Sequence, residues 1–403
     1  MMSVDELSRA YATWIETIGR FVPDVGEFLI GACSFLTERG LPLERVSTHI
    51  KVVHPRTMSV WRIWQRDQPL EVRRAVRGAE MTPAFLRSPV KKVWETGHWI
   101  DAPIRPGEED RWAIVTDLRA QGFTHYTIGP IIFSNRQIHA TSFATRQPGG
   151  FTAEQMEMLR RFISKSTPVI ETLALRNGMD NLLETYLGHE TARLLAQGQV
   201  TLGEGTQRRA ALWYSDLRGF TSLTEGAPLE EVVQILNVYF GLAGAAADRH
   251  AGEIVQFIGD AILMFFAVNE EGGDAEACRR ALMAATEART ELGRWNEARR
   301  ATQDLEIAFG LGLDLGNIIH VNVGGGNRQA FNIVGPAVNR AARIQELTKT
   351  LGRPLLMSSD FADALGEGTL SLGNHPVRGI HLPIEVVEPS MALLASLPAL
   401  PQD

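Results

Sequence analysis

The feature that most constrains the fold is a strand–helix–hairpin pattern that begins near residue 210. An apolar run over 210–215 predicts a strand, and Asp216 follows directly at its end. A helical segment over about 229–250 leads to two further strand-like runs, which are separated only by Gly259 and Asp260. A two-residue Gly-Asp connection between such runs is typical of a tight β-hairpin. We therefore expect Asp260 at an exposed hairpin tip.

Two carboxylates that each stand at a strand end beside a glycine point to a site for a metal-bound triphosphate. Hard divalent cations such as Mg²⁺ and Mn²⁺ prefer oxygen ligands, and glycine lets phosphate and backbone approach closely. Taken alone, Asp216 or Asp260 could equally be a turn residue, because Gly-Asp pairs are common in turns. The spacing does not establish that the two carboxylates meet.

Composition excludes several other classes of protein. A length of 403 residues allows two domains, and 44% hydrophobic residues suits packed globular cores. The net charge of -7 argues against a nucleic-acid backbone as the main partner. The longest apolar run, 261–268, is too short for a membrane span, and the start of the chain has Asp5 and Glu6 rather than a signal-peptide pattern. Cys33 and Cys278 have no metal-ligand spacing. We expect a cytoplasmic protein without membrane or nucleic-acid partners.

The first half of the sequence predicts an α+β domain. Two helices, a hairpin, a short helix, a second hairpin and a long helix follow in order, and the long helix opens with Thr152 and Gln155 in capping positions. This order, with the ending GGFTAEQMEMLRRF, resembles a GAF-type sensory domain over about residues 20–175. We expect a GAF-like regulatory domain over 1–175 and a helical linker over 176–207.

The ligand of this first domain stays open. Six of the eight tryptophans lie in it, and they either line a cavity for an unknown small molecule or fill the core. The domain is accordingly either a sensor or a structural dimerisation module without a ligand. The linker that follows either couples it to the second half or is passive.

Three segments of the second half resemble a known family. The sequences ALWYSDLRGFTSLTE, GEIVQFIGDAILMFF and FNIVGPAVNRAARIQ occur in the order and context of the class III adenylate/guanylate cyclase domain. The resemblance covers about residues 205–390. It implies an α+β catalytic domain over 208–390, with an antiparallel-rich sheet flanked by helices, and leaves 391–403 as a C-terminal tail. It also implies a head-to-tail homodimer with active sites at the interface.

The resemblance assigns roles to five residues of the predicted site. Asp216 and Asp260 would bind two Mg²⁺ or Mn²⁺ ions per active site, and Leu217 would offer its backbone carbonyl to them. Asn339 and Arg343 match the pair that orients the ribose and stabilises the transition state. Their i,i+4 spacing places both side chains on one helix face. The same residues could instead be a polar helix-start residue and a surface cation.

The base-recognition positions depart from the usual patterns. Gln256 and Asn332 stand where adenylate cyclases usually carry Lys and Asp or Thr, and where guanylate cyclases typically carry Glu and Cys. Each amide offers both a donor and an acceptor, so discrimination between bases should be weak. Arg378 falls where the family places a basic residue toward the terminal phosphates, and Asn317 stands where some members carry Arg.

The resemblance favours an adenylate cyclase, because a Gln–Asn combination is also found among bacterial members of the family that prefer ATP while accepting some GTP. The expected reaction is attack of the ribose 3′-hydroxyl of ATP on the α-phosphate, giving 3′,5′-cyclic AMP and pyrophosphate, under regulation by the N-terminal domain. GTP, CTP and UTP remain open as substrates. The alternative hypothesis assigns the chain to a different functional class, an inactive cyclase fold that serves as a nucleotide-binding or dimerising partner.

Overall fold

The computed structural model describes residues 2–105, 111–199, 201–302, 305–326 and 328–398. The chain forms two compact units, one ending at Leu182 and the other beginning at Leu183. In chain order the elements are α1 Val4–Thr17, α2 Val25–Glu38, β1 Arg45–Lys51, β2 Thr57–Gln65, β3 Glu71–Val76, α3 Pro83–Leu86, α4 Pro89–Thr96, β4 Ile100–Pro103, α5 Ala113–Ala120, β5 His125–Ile132, β6 Ile138–Thr145, α6 Ala153–Leu187, α7 His189–Ala196, β7 Gly205–Leu217, α8 Phe220–Gly226, α9 Leu229–Arg249, β8 Glu253–Ile258, β9 Ala261–Ala267, α10 Gly273–Thr302, β10 Phe309–Gly325, β11 Arg328–Val334, α11 Pro336–Thr350, β12 Leu355–Ser358, α12 Ser359–Leu365, β13 Thr369–His375, β14 Ile384–Pro389 and α13 Met391–Ser396.

The first unit is built on an antiparallel sheet in the order β3-β2-β1-β6-β5-β4. Both hairpins predicted from the sequence, β1–β2 and β5–β6, are formed. Helices α1, α2 and α6 pack over a core that includes Tyr11, Phe28, Phe143 and Phe162, and the Tyr11 hydroxyl lies 2.7 Å from that of Ser166. This half of the chain therefore has a core of its own, as an independent domain requires.

Helix α6 begins with the capping pattern that the sequence predicts. The Gln155 backbone N–H donates to Thr152 Oγ1 at 3.2 Å, and the Thr152 N–H donates to Gln155 Oε1 at 2.8 Å. This reciprocal pair satisfies two of the backbone donors that a helix start leaves open. The helix then continues without interruption to Leu187.

The second unit contains a larger mixed sheet. Its described strands follow the order β13-β14-β12-β10-β7-β9-β8, and β11 pairs with β10 off this path. The two long strands β7 and β10 are antiparallel, as are β7 and β9, whereas β12 runs parallel to β10. This agrees with the antiparallel-rich α+β fold expected for the second half.

Alternating side chains of β7 supply two cores on opposite faces of this sheet. Ala211 and Trp213 pack with helices α9 and α10 in the larger core. Ala210 and Leu212 face the other way and pack with Ala337 of helix α11. Because side chains alternate between the two faces of a strand, the sheet lies between two layers of helices. Helix α11 packs on the face that carries the even-numbered residues of β7.

Helix α11 is fastened to the sheet by a buried ion pair. Arg340 Nε donates to Asp314 Oδ2 at 2.9 Å, and the same guanidinium reaches the Leu315 carbonyl at 3.1 Å. Asp314 is fully buried in β10. Burial raises the pKa of Asp314, whereas the Arg340 charge acts in the opposite direction. A charge-assisted contact of this kind fixes the position of α11 more tightly than apolar packing alone.

None of the helices formed by the described residues has the length and apolar character needed to cross a lipid bilayer.

Candidate active site

The structure brings Asp216 and Asp260 together. Asp216 is the penultimate residue of β7 and lies opposite Ala261 of β9 in the antiparallel register. Asp260 is the second residue of the β8–β9 turn, where Gly259 has a φ of +64°, the left-handed conformation that favours glycine. Because Asp260 directly precedes Ala261, its carboxylate lies within hydrogen-bonding range of the Asp216 carboxylate. The pairing of strands thus resolves what spacing alone left open.

The two carboxylates of this pair interact electrostatically. Burial, together with hydrogen bonding and charge repulsion from the neighbouring Asp260 carboxyl, raises the pKa of Asp216 to about 7. Asp216 Oδ1 is buried and accepts no hydrogen bond within the described part of the chain. Two adjacent carboxylates with an unsatisfied oxygen favour a bound proton or a cation.

Two cations lie near the pair and were not anticipated from the sequence. Arg218 and Lys349 both lower the pKa of Asp216 by their charge, although burial outweighs them. The Arg218 guanidinium donates to Thr348 Oγ1 at 2.6 Å. It passes over Gly310, where a Cβ atom would lie only 2.7 Å from Arg218 Nη2 and 2.3 Å from Thr348 Oγ1. Arg218 follows Asp216 and Leu217 directly within the ALWYSDLRGFTSLTE motif, and its position in that motif was the available signal.

Tyr214 is a further residue that sequence reasoning missed. It stands two residues before Asp216 on β7, so both side chains lie on the α11 face of the sheet. Burial raises the pKa of Tyr214, and the charges of Asp216, Glu346 and Asp260 raise it further, whereas Arg343 lowers it. The tyrosine is therefore within electrostatic range of both the carboxylate pair and helix α11.

Asn339 and Arg343 occupy the helix that the sequence predicts. Helix α11 begins with Pro336, directly after Gly335, and Asn339 is exposed on its first turn. Arg343 lies one turn further and pairs with Glu346 of the same helix. The Arg343 side chain is 33% exposed, so it can reach a group outside its own helix.

The other predicted residues lie at the edges of the unit. Gln256 is exposed on the edge strand β8, beside a register irregularity between Ile254 and Gln256. Asn332 lies on β11, where its Oδ1 accepts from the Ile333 backbone N–H at 2.8 Å. Arg378 is exposed in the loop between β13 and β14.

The remaining two positions offer different groups. Leu217 ends β7 with its side chain 3% exposed in the core, so only its backbone carbonyl could serve the site. Asn317 is exposed on β10 opposite Arg209. The contacts among described residues bring neither Asn317 nor Arg378 to the carboxylate pair.

Comparison with known proteins identifies the region that carries this geometry. Residues 204–369 match the family model described as "Adenylate and Guanylate cyclase catalytic domain". An uncharacterized protein of Mycobacterium tuberculosis (strain CDC 1551 / Oshkosh) is 33% identical over 225 residues, which is 55% of this chain and 38% of that protein. A second uncharacterized protein, from Mycobacterium tuberculosis strain H37Rv, is 33% identical over 199 residues, or 49% of this chain and 35% of its own. The chain therefore spans little more than a third of the length of these relatives.

Two solved structures align with part of this chain at low TM-scores. The guanylyl cyclase Cya2 is 29% identical, with a TM-score of 0.40, over 46% of this chain and 93% of its own. The adenylyl cyclase CyaB from P. aeruginosa is 23% identical, with a TM-score of 0.42, over 46% of this chain and 94% of its own. Residues 204–369 of this chain thus match the adenylate/guanylate cyclase catalytic-domain family, and the three motifs described above begin and end within this segment.

Proposed function

We propose that the chain is a nucleotidyl cyclase that converts ATP into 3′,5′-cyclic AMP and pyrophosphate. The observation that carries the proposal is the Asp216–Asp260 carboxylate pair, built by the β7–β9 register inside a domain of the cyclase family. The unsatisfied Asp216 oxygen and the raised pKa of this carboxyl support a site that is completed by cations. Mg²⁺ or Mn²⁺, two per site, fits these oxygen ligands.

The rest of the coordination would come from outside the protein side chains. No group of three or more His, Cys, Asp or Glu residues suited to holding a metal occurs within the described ranges. Asp216, Asp260 and the Leu217 carbonyl would therefore hold the ions together with the triphosphate of the substrate. When bound, the ions would favour deprotonation of the 3′-hydroxyl and neutralise the phosphates.

The chain's own residues would orient the ribose and offset developing charge. Asn339 would hydrogen-bond the ribose from the start of α11, and Arg343, one turn later, would stabilise charge on the α-phosphoryl oxygens. In the structure, Arg343 forms a surface ion pair with Glu346. Such a pair contributes little to the free energy of folding, so Arg343 can exchange it for a contact with a phosphate. Arg378 would approach the terminal phosphates from its loop.

Each site would be shared between two chains in a head-to-tail homodimer. Exposed apolar side chains near the carboxylate hairpin support such an interface: Phe257 is 48% exposed and Ile258 is 43% exposed on the edge strand β8. Metal ligands of one protomer would then face Asn339 and Arg343 of the other. A single chain would be inactive.

Adenine is the base that we favour, although the two amides do not enforce it. Asn332 has its oxygen engaged by the Ile333 N–H, which leaves its NH₂ group as a donor. Gln256 is exposed and can present either end of its amide. This combination can satisfy the N1 and N6 atoms of adenine, and it leaves GTP and the pyrimidine triphosphates as weaker substrates.

The decisive experiment incubates the purified protein with Mn²⁺ and each of the four nucleoside triphosphates, and identifies the products by mass. We expect cyclic AMP and pyrophosphate from ATP. Asp260→Asn should abolish turnover, whereas the matched change Asp248→Asn, at an exposed position of α9, should not. An enzyme that preferred another nucleotide would refute the adenine assignment, and a folded, dimeric protein without any turnover would favour the inactive-partner reading.

Complementation tests the shared site. Asp216→Asn and Arg343→Ala chains should each be inactive alone, and mixing them should restore activity because one composite site of the heterodimer is intact. Failure to recover activity despite demonstrated subunit exchange would contradict the dimeric arrangement.

We further propose that the N-terminal unit regulates this site through the helix that leads from it. A ligand can shift the equilibrium between two arrangements of the catalytic chains by no more than its differential affinity for them. A chain that begins near Gly188 should retain a folded catalytic unit but show altered basal turnover and weaker dimerisation. Equal turnover per dimer with and without the N-terminal unit, and no response to small molecules, would refute the regulatory role.

A further inference from the structure

Helix α7 begins against a strand that is distant from it in sequence. The Glu190 backbone N–H, in the first turn of α7, donates to Glu253 Oε1 of β8 at 2.7 Å. The Thr191 backbone N–H also lies within hydrogen-bonding range of this carboxylate. The first N–H groups of a helix have no partner inside the helix, and a negative charge beside them is stabilising. The Glu253 carboxylate therefore caps α7 from outside the helix.

Gly188 leaves room for this contact. It directly precedes α7 and has no side chain with which to cap the helix itself. A Cβ atom at this position would lie only 2.8 Å from Glu253 Oε1 and 3.2 Å from the Ile254 carbonyl oxygen. The φ of +83° at Gly188 is also one that residues with a side chain rarely adopt. The start of α7 is therefore packed closely against β8.

Further contacts fix α7 on the sheet. Glu253 is partly buried, and burial raises its pKa, whereas the hydrogen bond from the Glu190 backbone acts in the opposite direction. The Glu190 side chain forms an ion pair with Arg208 of β7. Thr191 Oγ1 lies 3.3 Å from His320 Nε2 of β10. Helix α7 is thus anchored to three strands of the sheet, β7, β8 and β10.

A bulge in β8 places Glu253 and Gln256 on one face of the sheet. Glu253 lies opposite Phe265 of β9, and Gln256 lies opposite Leu263, so a step of three residues along β8 matches a step of two along β9. Phe265 and Leu263 point to the same face, and directly opposite residues of an antiparallel pair share a face. In a regular strand, residues 253 and 256 would point to opposite faces.

We propose that Glu253 is a positioning residue that holds β8, and with it Gln256, in a fixed place relative to helix α7. In the sheet that the described residues form, β8 is an edge strand, so backbone pairing with β9 restrains it on one side only. The cap on α7 supplies a second restraint, three residues before Gln256. The consequence for catalysis rests on the proposed role of Gln256 in binding the base.

Hydrogen exchange in the full-length protein tests the coupling without any need for turnover. In Glu253→Ala, exchange of the α7 amides should become about tenfold faster because the cap is lost, and exchange in β8 should accelerate with it. Glu253→Gln keeps an acceptor oxygen and should stay within about twofold of wild type. Glu271→Ala, at an exposed carboxylate between β9 and α10, is the matched control and should change neither element. Exchange in β13 and β14, at the opposite edge of the sheet, should be the same in every variant.

Gly188→Ala perturbs the same contact from the helix side. Its new methyl group would meet the Glu253 carboxylate, so this variant should reproduce the faster exchange of Glu253→Ala although the carboxylate is still present. Faster exchange in α7 alone, with β8 at the wild-type rate in both variants, would overturn the proposal, because the cap would then act only on its own helix.

Steady-state kinetics with ATP and GTP connect the coupling to base recognition. Because Gln256 would contact the base and not the reacting atoms, Glu253→Ala should raise KM for ATP about five- to tenfold with a much smaller change in kcat, and it should reduce the preference for ATP over GTP. Glu253→Gln should restore the wild-type values. A fall in kcat with KM and base preference unchanged would show that Glu253 supports only the fold, and the proposal would be wrong. If the wild type turns over no nucleotide, the proposed cyclase activity fails, whereas exchange still decides whether α7 and β8 are coupled.

Discussion

Replacing Asp216 by Asn should stabilise the metal-free protein while it abolishes catalysis. The perturbation removes one of two neighbouring carboxylates and leaves an amide of nearly the same shape. In the wild type, burial and the adjacent Asp260 raise the pKa of Asp216 from 3.8 to about 7. Above pH 7 the folded protein must therefore hold two negative charges side by side, and Asp216→Asn relieves this repulsion.

The size of the effect follows from the pKa difference. A rise from 3.8 to about 7 corresponds to at most about 4 kcal/mol, at about 1.36 kcal/mol per unit. Because Asp216 is only half-buried, solvent screening reduces the expected gain to roughly 1–2 kcal/mol. The folded state binds the extra proton, so wild-type stability falls relative to the variant as pH rises from about 4 to about 7. The gain should vanish below pH 4 and level off above pH 7.

The assay is amide hydrogen exchange in β7 and β9, measured at several pH values and urea concentrations, with EDTA present to keep the protein metal-free. Exchange in these strands reports the local free energy of opening separately from that of the N-terminal unit. Asp248→Asn is the matched control and should show no such trend. Adding Mn²⁺ should reverse the order, since the ion stabilises only the chain that binds it. A variant no more stable than wild type above pH 7 would refute the carboxylate repulsion that we infer.

Three other substitutions probe the surroundings of the site and the first unit. Arg340→Met should destabilise the catalytic unit by about 3–5 kcal/mol, since it leaves Asp314 as a buried charge without its partner, and urea unfolding of the variant measures this loss. Gly310→Ala should lower the free energy of unfolding by about 1–3 kcal/mol, because the new methyl group displaces Thr348, and it should also lower turnover. Unchanged Mn²⁺ affinity and unchanged activity would contradict the packing described. Burial lowers the pKa of His49 to about 3, so the free energy of unfolding of the first unit should decrease as pH falls from about 6.5 toward 3. In His49→Gln this dependence of stability on pH should be weaker, as measured by thermal unfolding at pH 4 and 7.

Elements that a turn or a helix cap marks in the sequence were predictable. The β8–β9 hairpin and the start of α6 appear at the predicted positions, because each has a local signature in its turn or its cap. Strand β3 was missed since its residues, EVRRAV, are almost all exposed. It is an edge strand held by backbone pairing with β2, and such pairing leaves no trace in the hydrophobic pattern.

The candidate site divides in the same way. Motifs indicated the two aspartates, but only strand register shows that they meet. The neighbours Arg218 and Lys349 and the anchor Arg340 depend on tertiary contacts between residues distant in sequence, which no local pattern encodes. The roles of all eight predicted site residues stay predictions, because a bound metal or nucleotide would be needed to reveal them: Asp216, Leu217, Gln256, Asp260, Asn332, Asn339, Arg343 and Arg378.

The two-residue turn between β8 and β9 limits how this chain can change over evolutionary time. Asp260 reaches Asp216 only because the turn has no spare residue and Gly259 takes a left-handed conformation. One inserted residue would either loosen the turn or slip the strands by one position, which sends every side chain of β9 to the opposite face. The apolar run of β9 would tolerate that slip better than the site would. We therefore expect length variants of this hairpin to remain folded and to lose activity, so that insertions accumulate elsewhere in the unit.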